Sequence, residues 1–422
     1  MRRTRTELLL ATALIASAVA GAPAQGGPSG LPRLLEPGFY VVPYAATGGT
    51  PSSLAFGPDT RKDEKGERLY VTDNASGDVL VVDDISGAGS PPQVFASGFR
   101  GPLGVVAARD GSLYVADAEQ AREGPFGFRP YGRVWRVLDK NGDGVADEQY
   151  VVLKDLPNGR HNTNGMAFGP DGMLYVTNGN STDDGVEGGE SEVVPWSGSV
   201  IRVSPKAKGL SLAVLSPRKA LIATGWRNVY DLAFSPVDPK TLFVPMNGVD
   251  DARKGSTGEN PVDPGLEDSD DALFATKIDD NRIDDFGFPS CLFNEAKAGN
   301  LKPFENPNPD VISKFGPCRK SVGRPVSSFG LHTSSNGLAF QTTKAWGPDH
   351  RHDLFVAEWG SLFGPPMGHD VVRVQLDKSG RRVTEQSVFL HLDFPLDVTF
   401  DRAGALYVAD FSGQIFKVDR AP

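Results

Sequence analysis

Cysteine is scarce in this chain: Cys291 and Cys318 are the only two among 422 residues, so at most one disulfide can form. Positive charge is also short, with 43 Lys and Arg against 53 Asp and Glu, a formal net charge of −10, and no Lys/Arg block along any segment. An acidic surface without a basic patch excludes a phosphate backbone, hence nucleic acid, as a partner, and it holds anionic lipid poorly. Long apolar runs are missing beyond the N-terminus, where roughly 20 residues would be needed for a spanning helix, so no membrane span is expected. Glycine and proline, in contrast, are plentiful at 49 and 33 residues, and they supply the turns that many short strands need.

The strands themselves recur. A short apolar triplet, a turn and a Leu-Tyr-Val-like triplet appear together six times: Leu54-Ala55-Phe56 with Leu69-Tyr70-Val71, Val105-Val106-Ala107 with Leu113-Tyr114-Val115, Met166-Ala167-Phe168 with Leu174-Tyr175-Val176, Leu232-Ala233-Phe234 with Leu242-Phe243-Val244, Leu338-Ala339-Phe340 with Leu354-Phe355-Val356, and Val398-Thr399-Phe400 with Leu406-Tyr407-Val408. Short β runs at a period of roughly 40 to 60 residues predict an all-β fold, a six-bladed β-propeller of four-stranded antiparallel blades, as one domain over residues 25–422. The last copy stops after its third strand, Gln414-Ile415-Phe416-Lys417-Val418. Phe39-Tyr40-Val41-Val42-Pro43-Tyr44 stands where a fourth strand is needed, and pairing the two would close the ring and remove two exposed edges. Attachment of that strand elsewhere on the surface is the alternative.

Arg2, Arg3 and Arg5, an apolar stretch from Leu8 to Val19 and the small residues Ala22-Pro23-Ala24 read as an export signal over residues 1–24, an amphipathic tail being the alternative. Export to the periplasm or outside the cell gives Cys291 and Cys318 an oxidising compartment in which to pair; two buried thiols are the other reading.

Three features carry chemistry. His161, in Asn158-Gly159-Arg160-His161-Asn162, precedes the third inner strand and so faces the mouth of the central channel, where it could serve as a general base or as an ordinary hydrogen-bonding residue. Arg227 and Asn228, in Gly225-Trp226-Arg227-Asn228, occupy the same loop one blade on and suit an anionic, oxygen-rich ligand; pinning of neighbouring blades is the alternative for Arg227. Asp139, Asn141, Asp143 and Asp147 stand at positions 1, 3, 5 and 9 of a calcium-loop pattern whose twelfth residue is Tyr150, which reads either as a calcium-stapled β turn or as a metal-free Asp/Asn/Gly turn.

The two loops and their neighbours resemble the soluble quinoprotein sugar dehydrogenases, the glucose/sorbosone dehydrogenase family. The resemblance rests on His161 ahead of Gly165-Met166-Ala167-Phe168-Gly169-Pro170-Asp171-Gly172, on Gly225-Trp226-Arg227-Asn228, on Asp270-Asp271-Ala272-Leu273 followed by Phe286-Gly287-Phe288-Pro289, and on Leu354-Phe355-Val356-Ala357-Glu358-Trp359-Gly360-Ser361. It implies a propeller that binds pyrroloquinoline quinone (PQQ) and calcium and oxidises an aldose or related polyol, with an external electron acceptor. Carried onto this sequence, His161 would take the substrate proton, and Arg227, Asn228, Asn247 and Asp271 would contact the quinone. Gly248 and Asp270 would lie at its calcium. The pattern departs from the family at Asp370, where Lys is common, at Phe394, where Arg is common, and at Ala272; Arg373, Arg324 or Lys344 would then have to supply the missing cation. A calcium-dependent lactonase or other hydrolase, and a propeller binding module without cofactor, are the rival readings on the same scaffold.

Overall fold

In the computed structural model the described residues are 32–62, 64–119, 132–186, 193, 195–249, 269–278, 282–295, 301–361 and 367–421. The expected export signal and most of the Asp/Gly/Pro-rich stretch between residues 248 and 271 lie outside them. Six small antiparallel sheets form the six blades, and each repeated phrase supplies the first two strands of one blade.

The Leu-Tyr-Val triplet explains why the blades assemble. Alternation in a strand sends its central residue to one face and its flanking residues to the other. In every blade the central aromatic (Tyr70, Tyr114, Tyr175, Phe243, Phe355 or Tyr407) packs toward the next blade, while the flanking Leu and Val pack toward the previous one. The interior is therefore six apolar seams rather than one core. At five seams the aromatic meets, edge to face, the Phe that ends the next blade's inner strand: Tyr114 on Phe168, Tyr175 on Phe234, Phe243 on Phe340, Phe355 on Phe400 and Tyr407 on Phe56, with ring centroids 4.8 to 5.7 Å apart. The exception is the seam between blades 1 and 2, where Ala107 replaces the Phe and Tyr70 turns to Phe95.

The ring closes as the sequence predicts. Phe39–Ala46 pairs antiparallel with Gln414–Arg420, so blade 6 takes its fourth strand from the beginning of the chain. An ion network fastens the same segment: Arg373 meets Glu36 at 3.1 Å and Asp353 at 2.7 Å, and His350 meets Glu36 at 2.6 Å. Three blades also carry a two-residue fifth strand, Arg33–Leu34, Leu210–Ser211 or Asp284–Asp285, at the outer edge, an addition to the expected four. Cys291 and Cys318 form a disulfide across the long fourth interval.

Each inner strand has one more residue than its partner needs near its start, a bulge that lets one side chain turn toward the axis. Three such side chains then take a backbone N–H of the next inner strand: Ser53 accepts from Val105 at 3.2 Å, Asp231 from Leu338 at 3.4 Å and Asp397 from Leu54 at 2.7 Å. Gly104, Gly165 and Gly337 hold this position in the other blades. A Cβ on Gly165 or Gly337 would run into the neighbouring aspartate, so those two glycines and the two carboxylates are one device.

Two outcomes follow from this architecture. Phe340→Ala removes one ring of a seam and should cost about 3–5 kcal/mol of unfolding free energy in chemical denaturation. Burial raises the Asp397 carboxyl to about 6 and pushes Asp231, which also feels the Asp397 charge, well above the usual carboxylate range. A carboxyl whose folded value is raised stabilises the fold in its protonated form, and that contribution is lost as pH rises through about 6. Asp397→Asn, which keeps an acceptor for the Leu54 N–H, should therefore raise the melting temperature above pH 6 and flatten its fall as pH rises from the ordinary carboxylate value to about 6.

Candidate functional site

Inner strands begin, and second strands end, on the same face of the ring, which we call the upper face. His161, Arg227, Asn228, Asn247, Gly248 and Asp271 all lie there. The fold builds their positions from buried anchors. Trp226, fully buried, stacks on Phe286 at 4.5 Å and meets Phe274 edge to face, which fixes the loop that presents Arg227 and Asn228. Gly179 lets the blade 3 and blade 4 loops approach, since a Cβ there would press on both the His161 Cβ and the Asn228 Oδ1.

His161 donates from Nδ1 to the backbone carbonyl of Asn180 at 2.8 Å, which leaves Nε2 as the lone-pair nitrogen. That nitrogen is 3.7 Å from the Asp183 carboxylate. Burial, helped by the Arg227 guanidinium, lowers the imidazole to about 4, so the ring is neutral at ordinary pH. Arg227 is itself buried, forms an ion pair with the Asp183 carboxylate, donates from Nε to the Asp183 carbonyl at 3.0 Å and reaches the Asn247 carbonyl at 3.4 Å. The arrangement is a base oriented by the Asn180 carbonyl beside a guanidinium that Asp183 holds. Asp183 was not singled out by sequence, although its place five residues beyond the second strand of blade 3 puts it on the same face as His161.

A row of amides extends the site. Asn164 Nδ2 donates to Asn228 Oδ1 at 3.2 Å, Asn228 Nδ2 to Asn247 Oδ1 at 2.7 Å, and Asn247 Nδ2 to the Ser335 carbonyl at 2.9 Å. The Asn228 and Asn247 nitrogens each keep a second hydrogen beyond this ladder, whereas Asn164 gives its second to the Val229 carbonyl at 2.8 Å. Asp271, nearly fully buried, accepts from the Gly248 N–H at 2.6 Å, from the Ser334 N–H at 2.6 Å and from the Thr333 hydroxyl at 3.0 Å. Asp270 points elsewhere, to the Glu295 N–H at 2.8 Å and the Ser328 hydroxyl at 2.7 Å, as alternation along the chain requires. The structure thus brings the Asp271 side chain to Gly248 and turns the Asp270 side chain away, although the Asp270 carbonyl stays against Gly248.

The expected replacement cations do not reach this face. Arg373 is committed to Glu36, Asp353 and the Asp349 carbonyl near the opposite face, Lys344 lies in the loop that links the first two strands of blade 5 on that opposite face, and Arg324 is exposed. Asp370 pairs with His391, and burial nevertheless pushes its carboxyl up. Phe394 packs 5.4 Å from both Trp359 and His369.

The Asp139–Glu148 loop also sits on the far side, linking the outer two strands of blade 2. Asp139 accepts the N–H groups of Gly142 and Gly144 and the Thr60 hydroxyl, Asn141 that of Asp143, Asp143 that of Val145, and Asp147 those of Lys140 and Asn141. Its oxygens satisfy the turn's own backbone. Among the described residues no group of three His, Cys, Asp or Glu side chains is arranged to hold a metal ion, and no helix is long and apolar enough to cross a membrane.

Residues 61–234 match a domain of unknown function, DUF7133, which spans from the first blade to the inner strand of the fourth. No curated protein matches the sequence. Solved structures match over almost the whole chain. A Trichoderma reesei carbohydrate-active enzyme of family AA12, in a calcium structure, has a TM-score of 0.69 at 17% identity, covering 92% of this chain and 97% of its own. The holo PQQ domain of pyranose dehydrogenase from Coprinopsis cinerea has a TM-score of 0.69 at 14% identity, covering 94% and 98%. PQQ-bound aldose sugar dehydrogenase from Streptomyces coelicolor has a TM-score of 0.59 at 18% identity, covering 92% and 99%. The chain thus shares the fold of these three proteins along more than nine-tenths of its length.

Proposed function

We propose that this protein is an exported PQQ-dependent dehydrogenase of an aldose or related polyol, one propeller domain over residues 25–422 that follows a cleaved signal. It passes its electrons to an external acceptor. The observation that carries the reading is the neutral, oriented His161 beside a buried guanidinium on the upper face of this propeller. The disulfide suits an oxidising compartment.

The residues present fit an anionic, oxygen-rich quinone. Arg227 would hold a carboxylate, the spare amide hydrogens of Asn228 and Asn247 would hold carbonyl oxygens, and Glu358 offers a buried oxygen, Oε1, that has no hydrogen-bond partner among the described residues. Asn247, Gly248 and Asp271 would hold the calcium beside it. When bound, the quinone supplies the two-electron oxidant that accepts hydride from the sugar carbon. His161 takes the hydroxyl proton at Nε2, since Nδ1 is committed to Asn180. Asp183 keeps Arg227 in place and offsets the charge that His161 gains on protonation.

Reconstitution tests the reading. Purified protein given PQQ and calcium should reduce a redox dye only when aldose or polyol is added, and no turnover at saturating quinone would contradict it. The role of His161 has its own signature. His161→Ala should lower kcat by about 10²- to 10⁴-fold, the usual worth of a positioned base. In the unaltered enzyme the base is competent above about pH 4, so kcat/KM should fall only as pH drops through about 4; a limb at the ordinary histidine value would contradict the assigned environment.

A further inference from the structure

Comparison of the blades isolates one residue. In all six blades the second strand ends on a polar side chain whose cross-strand partner is the first residue of the inner strand: Asp73 opposite Pro51, Asp117 opposite Pro102, Asn178 opposite Thr163, Asn247 opposite Asn228, Glu358 opposite Ser335 and Asp410 opposite Pro395. Four of these side chains tie down local backbone or hydroxyl groups. Asp73 accepts from the N–H groups of Ala75 and Ser76, Asp117 from those of Arg100 and Glu119, and Asp410 from those of Phe394 and Ser412. Asn178 bonds the Thr163 hydroxyl and the Pro157 carbonyl. Asn247 is a member of the amide ladder described above, and Glu358 is the exception. It is 4% exposed, it is one methylene longer than the other acids, and its Oε1 has no hydrogen-bond partner among the described residues.

An unpaired buried carboxyl oxygen is destabilising by itself, so the fold gains nothing from it. Its surroundings are those of the candidate site: Ser335, opposite Glu358, supplies the carbonyl that ends the Asn164-Asn228-Asn247 ladder. Its titratable neighbours are Asp271 on the third strand of blade 4 and Asp370 directly across on the third strand of blade 5, with His391 beyond Asp370. Burial, with the charges of Asp370 and Asp271 adding to it, pushes the Glu358 carboxyl well above its usual range. It is therefore an uncharged acid that can donate.

We propose that Glu358 is a ligand-contacting residue of this site, an O–H donor to a carbonyl or carboxylate oxygen of the bound quinone. It stands in for the cation that the sequence lacks at Asp370. The inference rests on the quinone reading above and adds to it a second blade-end contact next to Asn247, since the equivalent residues of the other four blades are spent on the fold. A neutral acid serves here where a lysine would not be needed, since a hydrogen bond to an anionic oxygen requires only a donor.

The test is quinone binding rather than turnover. PQQ with calcium is titrated into the full-length protein and its Glu358→Gln and Glu358→Leu variants, followed by tryptophan fluorescence, and the melting temperature of each ligand-free protein is measured. Glu358→Gln keeps an N–H donor and should bind as the unaltered protein does; Glu358→Leu removes the donor and should bind about tenfold to a hundredfold more weakly. Ligand-free Glu358→Leu should melt no lower than the unaltered protein, because an unpaired polar group has been replaced by an apolar one. In infrared difference spectra, addition of PQQ should shift a protonated-carboxyl carbonyl band that Glu358→Gln lacks. Equal affinity of Glu358→Leu, or a lower melting temperature in that variant, would overturn the role of Glu358 and leave the quinone reading standing. Failure of the unaltered protein to bind PQQ would overturn both.

Discussion

The face-changing triplet on the second strand of each blade is the constraint from which the rest follows. Its aromatic commits to the next blade and its Leu and Val to the previous one, so no blade can bury its own apolar residues alone. Such a chain is stable only when the series returns on itself. That makes the pairing of Phe39–Ala46 with Gln414–Arg420, and the Glu36, Arg373 and His350 network beside it, a requirement of the core rather than an ornament of the termini.

A ring held together by its seams leaves its two ends to polar groups, and the inner-strand bulges decide what happens at one of them. Each bulge frees backbone donors near the axis, and Ser53, Asp231 and Asp397 take three of those donors across to the neighbouring blade. Above that girdle Trp226, stacked on Phe286, anchors from below the loop that presents Arg227 and Asn228. Such anchoring matters for chemistry. A base at His161 works only if Nδ1 stays on the Asn180 carbonyl, and a guanidinium at Arg227 discriminates an anion only if Asp183 holds its orientation.

Periodicity made the scaffold legible: the six phrases, the missing last strand and its N-terminal replacement are all visible in the order of Leu, Tyr, Val and Phe. The loops carrying His161, Arg227 and Asn228 could be placed for the same reason, since a residue before an inner strand must lie on the upper face. What the sequence concealed is how polar side chains divide between fold and site. Arg373 reads as a free cation near the axis, yet its place at the middle of a third strand directs it to Glu36 and Asp353. Asp270 and Asp271 read as a pair, yet consecutive residues face opposite ways. Glu358 looks like one more blade-end acid until its hydrogen bonds are compared with those of Asp73, Asp117, Asn178 and Asp410. The carboxylates of the Asp139 loop read in sequence either as calcium ligands or as a metal-free turn, and in space they accept from their own turn.

The central claim is that this upper face, between the His161–Arg227–Asp183 group and the amide ladder, is where a quinone is held. Crystals grown with PQQ and calcium test it most directly. The account predicts difference density over the ring axis on the upper face, within hydrogen-bonding distance of Arg227 and of the Asn228–Asn247 amides and beside His161 Nε2. Quinone density elsewhere on the protein, or none at full saturation of the soak, would contradict it.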